Sequence, residues 1–153
     1  TLISQGRREA GKLPSRATQI HQAIYRKYPN VKSIVNATPV NTTAFSVTNY
    51  KLDVRTIPES FIFLRDILTI PFHYQFSDPN ELAAIISPHR HPAALLQNNG
   101  CIVMGTSVLD AFDRLEVLES TAEALINALP LGPLHPIEQA RIDELTTAFG
   151  LPQ

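Results

Sequence analysis

Ala93-Ala94-Leu95-Leu96-Gln97-Asn98-Asn99-Gly100-Cys101-Ile102-Val103-Met104 is two apolar runs joined by a polar turn. Asn-Gly accepts the positive φ of a tight turn, and between apolar runs it is the strongest short hairpin signal. A hairpin makes its two strands antiparallel, so the pattern excludes a purely parallel βαβ array. Upstream, Val31 to Val35 alternates and is β-branched enough to be a strand. Lys51 to Thr56 reads as a short strand and Ile67 to Phe72 as another. The fold class expected is α/β, a central mixed, mainly antiparallel sheet with helices packed on it.

The helices are marked by their ends. Ser15 is the expected N-cap of a helix over Arg16 to Tyr28, with Ile20 and Ile24 on one face and His21, Tyr25 and Tyr28 beside it. Pro29 ends it. Thr38 as cap and Pro39 at the first position predict a helix carrying Ala44, Phe45 and Val47. Pro58 to Leu64 is a short helix. Asp78-Pro79-Asn80-Glu81 is a capping box opening a helix through Leu82, Ile85 and Ile86. Ser107 caps a long helix whose apolar side is read as Leu109, Phe112, Leu115, Leu118 and Ala122. Pro130 to Pro136 is a loop, and a last helix covers Pro136 to Phe149, closed by Gly150 and Pro152.

The bulk properties exclude several classes. With 153 residues, 44% hydrophobic and 18% charged, the chain has the composition of a globular protein able to bury a core. A formal net charge of −1 gives no field for nucleic acid or an anionic membrane. No apolar run approaches the roughly 18–20 residues of a membrane span. Thr1 to Arg8 lacks the layout of a signal peptide, and the absence of an initial Met predicts a trimmed or partial chain. Cys101 is the single cysteine, which rules out an internal disulfide framework and fits a reducing, cytoplasmic setting. The Asn-x-Thr sequons at Asn36 and Asn41 are then coincidental.

Several pieces, taken in order, resemble a known family. They are Gly11-Lys12-Leu13-Pro14-Ser15, then His21 through Val31, then the strand-to-helix corner Ile34 to Pro39. Leu95-Leu96-Gln97-Asn98-Asn99-Gly100 follows, and the last is Gly105 with Ala111-Phe112 and a helix bearing Glu116 and Glu119. Their order and spacing resemble the class II aldolase/adducin superfamily, in particular members similar to L-fuculose-phosphate aldolase. The resemblance implies one domain over residues 1–153, a homo-oligomer, possibly a tetramer, with sites between subunits, and a sugar-phosphate ligand. It also implies an N-terminal family segment, contributing to a phosphate pocket, that this chain lacks.

In that family three histidines hold zinc, the metal stabilises an enediolate, and a Glu acts as acid/base. Carried over residue by residue, the first two zinc ligands fall on Asn36 and Thr38. The third, from Asn-His-Gly, falls on Asn99, ahead of Gly100. The acid/base Glu falls on Ala17. Of two serines lining the phosphate site, one matches Ser15 and the other is Arg16. Ser15, Arg16, Asn36, Thr38, Asn99 and Gly100 are therefore the substrate-binding candidates. Amides and hydroxyls are poor zinc ligands beside imidazole, so no cofactor is expected, with zinc as the family metal. Thr56 to Ser60 and Leu64-Arg65-Asp66 look like a divergent branch.

Other groups offer replacements. His89-x-His91 has chelating spacing. However, it lies in a Pro-bounded loop at the far end of the sheet, some eight strand residues, roughly 26 Å, from Asn99. It reads as a solvated loop. His21 packs against the sheet or keeps a functional contact. His73, at a strand end, lines the cleft, with Glu59 and Asp66 as acidic partners; Glu59 also suits the first turn of a helix. Arg16, Arg55 and Arg65 are candidate anion binders. His135 is a loop residue before Pro136, and Leu125, Leu129, Leu131 and Leu134 form core or an oligomer contact. Three functions follow: a non-catalytic relative keeping a cleft for a small molecule or partner, an active aldolase or lyase with a rebuilt site, or an assembly module like the adducin head domain.

Overall fold

The computed structural model describes residues 3–5 and 7–152. A short ladder pairs β1 (Ile3–Ser4) with β2 (Arg7–Arg8). Helix α1 (Thr18–Lys27) leads into β3 (Ser33–Ala37), and α2 (Val40–Ser46) follows at once. Then come α3 (Pro58–Leu64), β4 (Leu68–Ile70), α4 (Pro79–Ile85), β5 (Ala93–Leu96), β6 (Gly100–Gly105), the long α5 (Val108–Ala128) and α6 (Gln139–Ala148).

The main sheet has the order β3-β6-β5-β4. Strands β3 and β5 run antiparallel to β6, and β4 runs parallel to β5, so the expected mixed sheet forms. The hairpin pairs Leu96 with Gly100. Every residue of β5 and β6 is buried, which is why both read as unbroken apolar runs: each face is covered. On one face Phe45, Leu64 and Leu118 from α2, α3 and α5 pack on Leu95 and Val103. On the other, Ile24 of α1 and Leu82 of α4 pack on Ile70, Ile102 and Met104.

Five local expectations are corrected. Lys51–Thr56 is not a strand. Asp53 accepts from the Arg55 amide at 3.0 Å and the Thr56 hydroxyl donates to the Asp53 carbonyl at 2.9 Å, closing a 3₁₀ turn over Val54–Thr56. These short-range bonds replace a ladder, while Leu52 and Val54 still bury. Strand β3 starts two residues late, because the turn after Pro29 runs to Val31, whose amide donates to Tyr28. Ser15 makes its bonds ahead of α1, accepting from Ala17 at 3.2 Å, and the helix begins at Thr18. The last helix begins at Gln139, since the Ile137 amide is held by the Arg55 carbonyl at 2.8 Å. Leu109 and Phe112 are 73% and 50% exposed. The inward stripe of α5 runs through Ala111, Leu118, Ala122 and Leu125 instead, because Ala111 is the residue seated against Gly105.

Ser107 does cap α5, accepting from the Asp110 amide at 3.0 Å. Asp78 likewise caps α4, accepting from the Asn80 amide at 2.9 Å. Among the described residues no helix is long and apolar enough to cross a membrane.

Candidate functional site

The end of β3, the start of β6 and the turn between β5 and β6 meet at one corner of the sheet. Ala37 pairs with Cys101 in the ladder, so Thr38 is the next position along and comes against Gly100. A Cβ on Gly100 would sit 2.4 Å from the Ala37 carbonyl oxygen and 3.0 Å from the Thr38 methyl. Glycine alone fits there, and its φ of +144° is a conformation L side chains avoid. Asn98 takes the left-handed φ of 59° that turns the hairpin. Asn36 lies near the end of β3, Thr38 just past it, and Asn99 precedes Gly100. The three positions read from the sequence as emptied metal ligands are thus gathered at one corner.

Their side chains make amide and imidazole contacts. His21, half-buried on α1, brings Nε2 to 2.6 Å from Asn36 Oδ1. A carbonyl oxygen only accepts, so Nε2 carries the proton and, in the neutral ring, Nδ1 holds the lone pair. Asn99 Nδ2 donates to Gln75 Oε1 at 2.8 Å. Gln75 Nε2 donates to the Gln97 carbonyl at 2.8 Å, and Gln97 Oε1 accepts from the Phe72 amide at 3.0 Å. Gln75 and Gln97 were not singled out in the sequence, where a lone Gln in a loop or turn carries no signal.

Thr38 is not the cap of α2. Pro39 occupies that place with no side-chain bond of its own. The cap comes from α5 instead. Glu119 Oε1 accepts from the Asn41 amide at 2.8 Å and from Asn41 Nδ2 at 2.9 Å. Its Oε2 accepts from the Thr42 amide at 2.8 Å and the Thr42 hydroxyl at 2.7 Å. Burial pushes this carboxyl up, but the bonds from Thr42 and Asn41 outweigh it and hold it below the usual range. Glu119 therefore pins the helix that leaves the corner.

Ser15 and Arg16 are exposed, just ahead of the helix that carries His21. Ala17 lies one turn before His21, whose amide donates to the Ala17 carbonyl at 3.0 Å. The position that the resemblance aligns with an acid/base Glu thus carries a methyl group. His73 sits exposed in the 3₁₀ turn Phe72–Gln75, stacked on Tyr74 at 4.2 Å and two residues from Gln75.

Glu59 and Asp66 do not join His73. Glu59 is in the first turn of α3, in the α5 layer, on a groove with Glu119 and Glu123. Asp66 is at the opposite end of the sheet, 3.7 Å from His91 Nε2. That contact corrects the reading of His91 as solvated: its side chain is 13% exposed and its Nδ1 is buried without a partner. Burial lowers the His91 pKa, with Asp66 opposing and Arg90 adding to it. The arginines are also dispersed. Arg55 donates to Gln139 at 2.5 Å, and Arg65 ends α3 with a strained φ of 63°.

Zinc prefers imidazole, thiolate or carboxylate ligands. The corner offers two amides, a hydroxyl and one imidazole already bonded through Nε2. Among the described residues, no three His, Cys, Asp or Glu side chains are grouped to hold a metal. The residues present do not fit the family's zinc site.

Residues 2–126 match the family described as the class II aldolase and adducin N-terminal domain. The chain belongs to this family. It is 33% identical over 118 residues to the L-fuculose phosphate aldolase of Methanococcus vannielii, covering 74% of this chain and 64% of that one. It is 33% identical over 129 residues to a 3-oxo-tetronate 4-phosphate decarboxylase of Haemophilus influenzae, covering 80% and 60%. The crystal structure of YgbL from Escherichia coli superposes with a TM-score of 0.76 at 26% identity, covering 88% of this chain and 67% of that one. The chain thus spans about three fifths of the length of these curated relatives.

Proposed function

We propose that this class II aldolase family chain binds a small polyhydroxylated ligand of the sugar-phosphate class at the Asn36/Thr38/Asn99 corner. It does so without zinc-dependent aldol cleavage. The observation that carries this is the bond between His21 Nε2 and Asn36 Oδ1. The imidazole at the corner directs Nε2 to an amide standing where a metal ligand would be needed. Amides and hydroxyls that both donate and accept suit the hydroxyls of a sugar. Ser15, Arg16 and Gly100 border this site in the proposal, with Arg16 as the anion contact. The relatives' names, which specify phosphorylated substrates, support the ligand class.

A second reading is an active aldolase or lyase with a rebuilt site. It is supported by the relatives' activities and by the lone pair on His21 Nδ1, which is available as a base. Assembly is part of either reading: Val40, Phe72 and Phe76, on elements next to the corner, are 81%, 48% and 69% exposed. This supports a homo-oligomer with the corner near a subunit contact.

Titration of the chain with a ketose phosphate in excess chelator, followed by amide NMR, tests the proposal. Saturable shifts at His21, Asn36 and Asn99 with the ligand recovered intact are expected. Cleavage in chelator establishes the second reading instead. Binding that requires added zinc, or no binding at the corner, sinks the proposed one.

A further inference from the structure

At the opposite end of the sheet from the corner lies a cavity of about 330 Å³, at the low end of small-ligand sites. Six residues from β6 separate the two, roughly 17 Å at strand rise. Its apolar surface comes from Tyr28, Val31 and Met104, of which Val31 and Met104 are buried. Its polar surface carries three basic side chains, Lys27 at the end of α1, His89 in the loop before β5 and Arg114 on α5, with Asn30 and Thr106 beside them. None of the residues lining it is acidic.

These basic side chains are held in place by neighbouring groups. Arg114 Nε donates to Asp110 Oδ1 at 2.8 Å and Nη1 to the Met104 carbonyl at 3.4 Å. Nη2 has no partner among the described residues. Asp110 is engaged through both oxygens, since its Oδ2 accepts from the Thr106 amide at 2.7 Å and hydroxyl at 2.9 Å. It fixes Arg114 and offsets part of that residue's charge, without itself lining the cavity. Lys27 Nζ lies over the Tyr28 ring, 5.6 Å from its centroid, and Tyr28 is itself anchored by its hydroxyl to the Ile86 and Ala83 carbonyls. His89 is carried in a turn closed by the Arg90 and His91 amides on the Ser87 carbonyl. Arg65, outside the lining, lies close enough to Arg114 for the two to repel.

We propose that this cavity is a binding site for a phosphate monoester with a small apolar body. Basic side chains from three separate elements, with no acidic residue in the lining, suit an anion with several oxygens. The Tyr28, Val31 and Met104 surface takes the apolar body.

The probe is phenyl phosphate, titrated into the chain at low ionic strength and followed by amide NMR. Saturable shifts are expected at Lys27, Val31, His89 and Thr106, with the Asn36 and Asn99 amides unmoved. Lys27→Gln and His89→Gln, both at exposed positions, should each weaken binding by about fivefold, the weight of a partly exposed charge contact. Inorganic phosphate should bind more weakly than phenyl phosphate. The proposal is overturned by no saturable shift at this end, or by affinity unchanged in the Lys27→Gln/His89→Gln double variant. Inorganic phosphate binding as tightly as phenyl phosphate overturns it too. A ligand seen only at this end leaves the corner untouched, so the two sites are tested separately.

Discussion

Glu119, in the middle of α5, holds Thr42 by both its amide and its hydroxyl, at 2.8 and 2.7 Å. With the matching pair to Asn41, this carboxylate supplies the cap that α2 lacks in its own sequence. Negative charge at a helix N-terminus is favourable, and here it joins the corner to the longest helix.

Glu119→Ala is therefore expected to destabilise the chain by about 2–3 kcal/mol, the sum of a lost cap and charge-assisted bonds, discounted for partial exposure. Chemical denaturation measures it. The acid limb follows from the depressed pKa. The stabilisation is full above the ordinary Glu range and is lost as pH falls through the lower folded-state value. Glu119→Gln should be less stable than the unmodified chain at neutral pH, with the gap closing as the solution is acidified below about pH 4. A gap that is constant with pH would show that the charge is not the cause.

Gly100→Ala tests the close approach that brings Asn99 to Thr38. The added Cβ has 2.4 Å to a backbone oxygen, which cannot swing away. A loss of about 2–4 kcal/mol is expected. Gly132→Ala, also at positive φ but with nothing within 4 Å, should lose about 1 kcal/mol. Equal losses at the two positions would show strain alone, with no contact at the corner.

Cys101 is fully buried beside Ala37, with its thiol 3.6 Å from that carbonyl oxygen. Burial, with some repulsion from Glu119, pushes its pKa up to about 12. At pH 8 roughly one molecule in ten thousand is thiolate. Iodoacetamide should leave the native chain unmodified and alkylate it quickly in denaturant. Fast native labelling would mean that the β3–β6 edge opens.

The hairpin was legible because its signal is local: two apolar runs and Asn-Gly suffice. The corner positions were legible because β3 and the hairpin converge through that same pairing. Glu119 as a cap was not, since 77 residues separate it from Thr42 and no local pattern encodes the bond. Leu52 and Val54 misled in a different way. Their alternation reports real burial, but Asp53 and Thr56 bond locally and take the backbone out of any ladder. Leu109 and Phe112 fit a helical stripe by spacing, and only the seat of Ala111 on Gly105 sets which stripe faces inward. His91 looked like a surface loop residue until Asp66, 25 positions earlier, was placed beside it.

Restoring the ligands tests the shape of the corner independently of its present chemistry. Asn36→His, Thr38→His and Asn99→His together should create a site for one zinc ion, seen by metal analysis after dialysis. A folded triple variant that takes up no zinc would show that the three positions do not converge.

The most direct test of the central claim is the zinc content of the unmodified chain after dialysis against zinc and removal of the excess. Near-zero stoichiometry is expected, the same in His21→Ala. One zinc per chain, lost in His21→Ala or Asn36→Ala, would contradict it.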